Sequence, residues 1–412
     1  MEEKSESSAA PQPRLAPVAP TERVELLDIL RGFALFGVLW MNLDELELAV
    51  PDAPYARALA ILGTFLAAAK FITLFSFLFG LGFALQMERA QATAVSFAPV
   101  YLRRLLALLL IGLVHAVFLA PGEVLQQYAT MGVVLLLLRR RSPRTILIVA
   151  ALSLAWTASW PAMESIDQLR RPDPVTARTA ELESLREGMR WEAWDECWWT
   201  AHTRGTYGDV LKLHVEFIRY LYQNYFQWTI RGALFCMFLL GLYAGRRGVF
   251  RDVEAHLPFA RKVLWWSLGV GVGLNLAWVV AWETTENAWL RGPTGAIGTT
   301  IMALFYLSGI TLLARRQSWH DRLKPFGPVG RMALTNYLLQ SAIINILFYG
   351  YGFGLYTRMP STLVLPLAIL VFAGQVVLSK WWIERFRFGP AEWLWRSVTY
   401  WKLQPMRTIS HG

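Results

Sequence analysis

A chain of 412 residues that is 55% hydrophobic and 17% charged, with a mean hydropathy of +0.35, is not a water-soluble globular protein; soluble domains carry about a quarter charged residues. The net charge of +10 would suit nucleic acid, but Lys and Arg sit in short clusters between apolar blocks, as the positive-inside rule and anionic lipid arrange them, so no nucleic-acid partner is expected. The nineteen Trp and fourteen Tyr suit interfacial belts, and the two cysteines, Cys197 and Cys236, make neither a disulfide framework nor a metal-site spacing.

Residues 1–22 are rich in Pro, Ala, Ser and Glu and read as a disordered cytoplasmic tail, without the basic start and apolar core of a signal peptide. Over 23–163 the apolar blocks predict five membrane spans, at about 26–43, 60–86, 102–120, 124–138 and 145–163, each near the roughly 20 residues that cross a bilayer. Residues 164–228 are an insert that mixes charge (ELESLREGMRWEAWDECWW) with aromatics (FIRYLYQNYFQW). They read as helices outside the membrane, the last lying along its surface. The unit 229–400 carries five further spans, at about 229–246, 263–283, 294–314, 332–352 and 361–383, before a short cytoplasmic tail, 401–412. The fold class is therefore an all-α, polytopic transmembrane bundle of about ten spans.

Orientation follows from the loops. The connections after spans two, four, six and eight carry the basic clusters, among them Arg103 and Arg104, Arg139–Arg141, Arg246 and Arg247, and Arg315 and Arg316. The short alternate connections are poor in Lys and Arg, so both termini are expected in the cytoplasm and the insert outside, in a bacterial inner membrane.

Charged and polar side chains inside spans are costly and usually face a partner or a wet cavity. Asp28 and Arg31, at i and i+3 in span one, can pair on one face. Asn42 lies near the outer end of that span, and Lys70 interrupts span two. His115 sits in the outer half of span three. Glu123 opens span four eight residues later, across a short APG turn, where a carboxylate can bond and orient an imidazole. Asn336 and Gln340 share a face of span nine and read as interhelical hydrogen-bond glue. LFGLG at 79–83 has no strand before it and is no dinucleotide fingerprint. The absence of a Walker loop, HExxH, CxxC or GxSxG argues against an ATP-driven pump and the common soluble-type hydrolases.

Five ordered stretches resemble one family: ERVELLDILRGFALFGVLWMN (22–42), KFITLFSFLFGLGFALQM (70–87), YLRRLLALLLIGLVHAVFLAPGEVLQQYATMGVV (101–134), GRMALTNYLLQSAIINILFYG (330–350) and RFRFGPAEWLWRSVTY (385–400). They resemble the YeiB-like bacterial membrane proteins, carriers of domain of unknown function 418. That family is in turn distantly similar to membrane acyltransferases, including heparan glucosaminide acetyltransferase and the O-antigen acyltransferases, through the LRG opening of span one. In the O-antigen group the Arg of that motif is followed, after ten residues, by a catalytic His; here Arg31 is followed by Asn42, and an amide is no general base. The resemblance implies transfer of an acyl group from a cytoplasmic donor, such as acyl-CoA, to an external small-molecule, glycan or membrane acceptor, with membrane lipids as surroundings. His115 would then be base or acyl carrier, oriented by Glu123, with Arg31 and Arg103 or Arg104 on donor phosphates. Lys70 and Asn42 would stabilise an oxyanion, and Asn336 would join the substrate-binding residues. The alternatives are a secondary transporter using Asp28, Lys70, His115 and Glu123, and a non-catalytic scaffold.

Overall fold

A computed structural model describes residues 24–46, 54–93, 95–169, 194–223, 232–284 and 287–407. The tail expected at 1–22, the insert residues 170–193 and 224–228, and the end of the C-terminal tail lie outside them. In chain order the helices are α1 (Glu25–Asp44), α2 (Pro54–Leu66), α3 (Lys70–Ala92), α4 (Phe97–Phe118), α5 (Leu125–Leu138) and α6 (Pro143–Leu169). The insert contributes α7 (194–204) and α8 (Tyr207–Gln223). Then follow α9 (Ala233–Arg246), α10 (Leu257–Thr284), α11 (Ala288–Leu313), α12 (Gln317–Leu323), α13 (Phe326–Arg331), α14 (Ala333–Phe348), α15 (Val364–Arg385) and α16 (Pro390–Tyr400). Among the described residues there is no β-strand, only an isolated bridge between Phe386 and Arg407.

Each expected span falls on helix, and the protein is a multi-pass helical membrane bundle. Among the described residues six segments are long and apolar enough to cross a membrane: α1, the α2–α3 stretch, α4, α10, α11 and α15. The exposed residues of α4 show what surrounds them. Leu102, Leu106, Leu110, Val114 and Phe118 recur every fourth position and are each about half exposed, an apolar stripe along the whole helix. Water would not tolerate that patch, whereas lipid would. The shorter α9 instead lies inside, with Met237, Phe238, Leu239 and Leu242 fully buried against α3 and α6.

Span two departs from expectation. The helix predicted at 60–86 is two helices, broken where Ala69 takes a left-handed conformation (φ 60°). A break leaves the last carbonyls of α2 without intrahelical donors, which in lipid must be satisfied by protein. Three side chains do so. Lys70 Nζ donates to the Thr64 carbonyl at 2.6 Å, Asn275 Nδ2 of α10 to Phe65 at 2.6 Å, and the Tyr306 hydroxyl of α11 to Leu66 at 2.8 Å.

The directions of packed helices agree with the alternation read from the loops. α3 and α9 run parallel, with Gly241 against Phe77 and Leu81, Gly245 against Leu81 and Ala84, and Arg251 beyond the end of α9 paired with Glu88, as spans two and six should. α4 and α14 are also parallel, and both end beneath the insert, where the Gly350 amide donates to the His202 carbonyl at 2.7 Å. At the other end the Arg246 guanidinium reaches the carbonyls of Arg139 and Arg141. Native Cys197, exposed on α7, reports which end faces out, because Cys236 is buried. A membrane-impermeant maleimide should label wild-type protein in intact cells and fail to label Cys197→Ser. Labelling of Cys197 only after lysis would invert the topology.

Candidate active site

Beneath the insert, three elements converge on His115. The residue lies in the last turn of α4 and is 2% exposed, so it faces the bundle interior and not lipid. Its Nε2 is 2.9 Å from Ser341 Oγ on α14. Its Nδ1 is 3.9 Å from Glu123 Oε2, and the Tyr337 ring packs 5.0 Å from the imidazole. Tyr337, Ser341 and Asn345 occupy positions i, i+4 and i+8 of α14, one stripe facing the end of α4. Asn345 completes it by donating to the Leu119 carbonyl at 2.8 Å, which closes that end of α4.

The turn 119–124 sets the position of Glu123. Its two oxygens accept the Leu125 and Gln126 amides, each at 2.7 Å, at the N-terminus of α5, where a negative charge is favoured by the free N–H groups and the helix dipole. Gly112 lets the carboxylate in: a Cβ there would stand 2.6 Å from Oε1. The expected His115–Glu123 hydrogen bond is therefore corrected. The carboxylate is committed to the start of α5 and lies within ion-pair reach but beyond hydrogen-bond distance, while the imidazole bonds Ser341.

In the tautomer whose Nε2 accepts the serine O–H, the imidazole proton is on Nδ1, the nitrogen nearest Glu123. Nδ1 is buried and has no hydrogen-bond partner. Ser341, His115 and Glu123 thus stand in that order, a hydroxyl 2.9 Å from an imidazole whose other nitrogen is 3.9 Å from a carboxylate. Sequence reasoning missed Ser341 altogether.

The insert covers this group. His214 Nδ1 on α8 is 3.0 Å from the Val117 carbonyl, the Tyr207 hydroxyl donates to Phe118, and Tyr222 donates to Gln126 Oε1. His202 on α7 and His214 lie 5.9 Å apart, between Trp198 and Tyr349. Burial pushes His214 down to about 4, an effect that the charge of His202 reinforces and its bond to Val117 opposes. Burial likewise lowers His202, against its bond to Trp198. Both are neutral near pH 7 and add no positive charge above His115.

The remaining predicted site residues lie elsewhere. Lys70 is fully buried at the α2–α3 break, where its ammonium also stands 4.9 Å over the Trp278 ring. Asn42 is half-buried near the end of α1. Asn336 donates to Val329 and to Ser379 Oγ, and Gln340 to Leu35 and Gln375, so this second stripe of α14 ties α1, α13 and α15 together. Asp28 accepts from Arg31 at 2.8 Å at the basic end, where Arg103 bonds the Pro99 carbonyl and Arg104 stacks on Trp395. Among the described residues no three His, Cys, Asp or Glu side chains group as a metal site requires.

Residues 244–402 match the family model described as "Protein of unknown function (DUF418)". The chain is 35% identical to the uncharacterised protein YxaH of Bacillus subtilis (strain 168), over 95% of this chain and 98% of that one. It is 29% identical to an uncharacterised 39.9 kDa protein encoded in the amylase 3' region of Bacillus acidopullulyticus, covering 93% and 96%. It is 25% identical to the uncharacterised protein YeiB of Escherichia coli (strain K12), covering 92% and 96%.

Proposed function

The chain belongs to the YeiB-like DUF418 family of membrane proteins, and from that premise we propose that it is an acyltransferase of a bacterial plasma membrane with Ser341 as nucleophile. One observation carries the reading, the alignment of Ser341 Oγ, the His115 imidazole and the Glu123 carboxylate in a buried site. In the first half-reaction His115 Nε2 takes the Ser341 proton as Oγ attacks the carbonyl of an acyl thioester such as acyl-CoA. The C–S bond breaks, the imidazolium returns its proton to the leaving thiolate, and an acyl-serine remains. In the second, His115 deprotonates an acceptor hydroxyl, which takes the acyl group and restores the serine. Glu123 stabilises the imidazolium in both.

The position of the group, in the last turn of α4 beneath the insert, suits an acceptor arriving from the outer side, either a glycan or a lipid-borne hydroxyl. Transport has less support. The broken α2–α3 helix would be its mark, yet the carbonyls freed there already have Lys70, Asn275 and Tyr306 as donors.

The direct test incubates purified protein with radiolabelled acyl-CoA of several chain lengths, without acceptor. The expected result is an ester on Ser341, located by mass spectrometry, stable to neutral hydroxylamine and absent from Ser341→Ala. No adduct at any chain length, or an adduct that survives Ser341→Ala, overturns the serine mechanism.

A further inference from the structure

Between Lys70 and Ala84 every residue of α3 is buried except Ile72, Phe75, Phe79 and Gly82, which lie along one seam of the helix. The neighbours of that seam are protein, not lipid. To one side Phe71 packs on α1, where its ring fills the space of the missing side chain at Gly37. To the other, Ser76 Oγ is 3.0 Å from the Tyr128 hydroxyl of α5, and the Phe83 ring lies 4.7 Å from that of Tyr101 on α4. The seam therefore opens inward, between α1 and the α4–α5 pair. Phe75 packs against all three buried clusters of the bundle yet stays partly exposed, and nothing lies within 4 Å of where a Cβ would stand on Gly82. Tyr337 of α14 borders the same gap. Its ring packs 5.0 Å from His115 and against the clusters on both sides, and it too is partly exposed. Side chains walled in by protein and still exposed border an internal hollow. Tyr128 comes five residues after Glu123, about 7 Å deeper at 1.5 Å per residue, so Phe75 lies just beneath the serine group. Gly82 is about 10 Å farther in.

The hollow is apolar. The hydroxyls at its rim are paired, since Ser76 and Tyr128 both donate to the Ile72 carbonyl at 2.9 Å, and a space of this kind stays dry and takes apolar ligands. Ser341 stands one turn beyond Tyr337 at its outer end. We propose that the hollow receives the hydrocarbon chain of the acyl donor, with Tyr337 at the mouth, Phe75 and Phe79 as walls and Gly82 at the floor. The identity of the occupant rests on the acyl-transfer reading: a chain is attached to the carbonyl carbon that Ser341 attacks, and this apolar space adjoins it. The depth from Phe75 to Gly82, about 10 Å, suits a medium or long fatty acyl chain and is far more than an acetyl group fills. Gly82 sets the limit, because a side chain there would occupy the far end.

The test separates chain binding from catalysis by using full-length Ser341→Ala protein in nanodiscs, which forms no acyl-serine. Octanoyl-CoA and palmitoyl-CoA carrying a photoreactive diazirine at the chain end should crosslink to α3 between Phe75 and Gly82. Unlabelled palmitoyl-CoA should compete at least tenfold more effectively than acetyl-CoA. Gly82→Leu, added to Ser341→Ala, enters open space and should leave the melting temperature near its starting value. It should cut crosslinking by the palmitoyl probe at least tenfold while the octanoyl probe still reacts. Should that variant not fold, the crosslink map of Ser341→Ala alone decides. Crosslinks confined to nanodisc lipid or to the lipid-facing stripe of α4 overturn the proposal, as does a palmitoyl probe indifferent to Gly82→Leu. Crosslinks in the seam with no ester on wild-type Ser341 uphold the chain site and overturn only the serine mechanism. An ester on Ser341 from acetyl-CoA, with no crosslink in the seam at either chain length, does the reverse.

Discussion

Alanine at Gly80 should cost the purified protein about 3 kcal/mol or more, and leucine there should abolish recoverable folded protein. The cause is backbone contact between α3 and α9. A Cβ on Gly80 would lie 1.9 Å from the Phe238 carbonyl oxygen, and one on Gly241 would lie 2.1 Å from that of Phe77. Neither obstacle is a side chain that can swing away, so the helices must part, and overpacking of a dense interior typically costs about 1–3 kcal/mol even where side chains can adjust. Separation would also break the packing of Phe238, Leu239 and Leu242, all fully buried. The control lies two residues away. Gly82 has nothing within 4 Å of its missing Cβ, so Gly82→Ala should be neutral or gain up to about 1 kcal/mol from helix propensity. Because one displacement relieves both clashes, Gly80→Ala and Gly241→Ala should combine to less than the sum of their separate effects. Melting temperatures in detergent measure all four variants. If Gly80→Ala and Gly82→Ala melt together, the close approach of the two helices is wrong.

That contact illustrates what could be read in advance. Glycines at 80, 82, 241 and 245 signal close helix approach, but their spacing does not say which face meets which helix, and Gly82 meets none. Span positions were legible because apolar length against bilayer thickness is a strong, local constraint. The break before Lys70 was not. FLAAAKF is composed largely of helix formers, and the decision rests on Asn275 and Tyr306, which lie 210 and 240 residues from the carbonyls they satisfy. An intramembrane lysine was visible as needing a partner, but that partner is a backbone carbonyl that only exists once the helix ends.

The proximity of His115 and Glu123 was likewise legible, since a short turn joins their helices. Their bonding was not, because the amides of Leu125 and Gln126 claim the carboxylate and Ser341, 226 residues away, claims the imidazole. A serine in an apolar helix ordinarily bonds its own backbone, as Ser76, Ser267 and Ser308 do here, and so attracts no notice. The available signal was the stripe Tyr337, Ser341, Asn345 at helical spacing, lying beside the more obvious amides Asn336 and Gln340.

The second large effect follows from that assignment. Modification of Ser341 by a small fluorophosphonate should slow by about 10³-fold or more in His115→Gln and vanish in Ser341→Ala. Glutamine roughly keeps the size of histidine and a donor toward Ser341 but cannot accept a proton at neutral pH. Glu123→Gln should slow the reaction by a smaller factor, about 10–10², because the side chain at 3.9 Å stabilises the imidazolium without touching Ser341. It keeps an acceptor oxygen for one of the two amides at the start of α5, so the fold should survive. His115→Gln combined with Glu123→Gln should react no more slowly than His115→Gln alone, since a carboxylate that works through the imidazole has nothing to act on once it is gone. A group that only holds helices together predicts the opposite pattern. Melting temperatures would fall with each substitution, the stability losses would follow the lost hydrogen bonds, and labelling of Ser341 in wild type would be no faster than that of Ser379, whose hydroxyl accepts from Asn336. The contrast between Ser341 and Ser379 in one labelled sample separates an activated serine from a merely buried one.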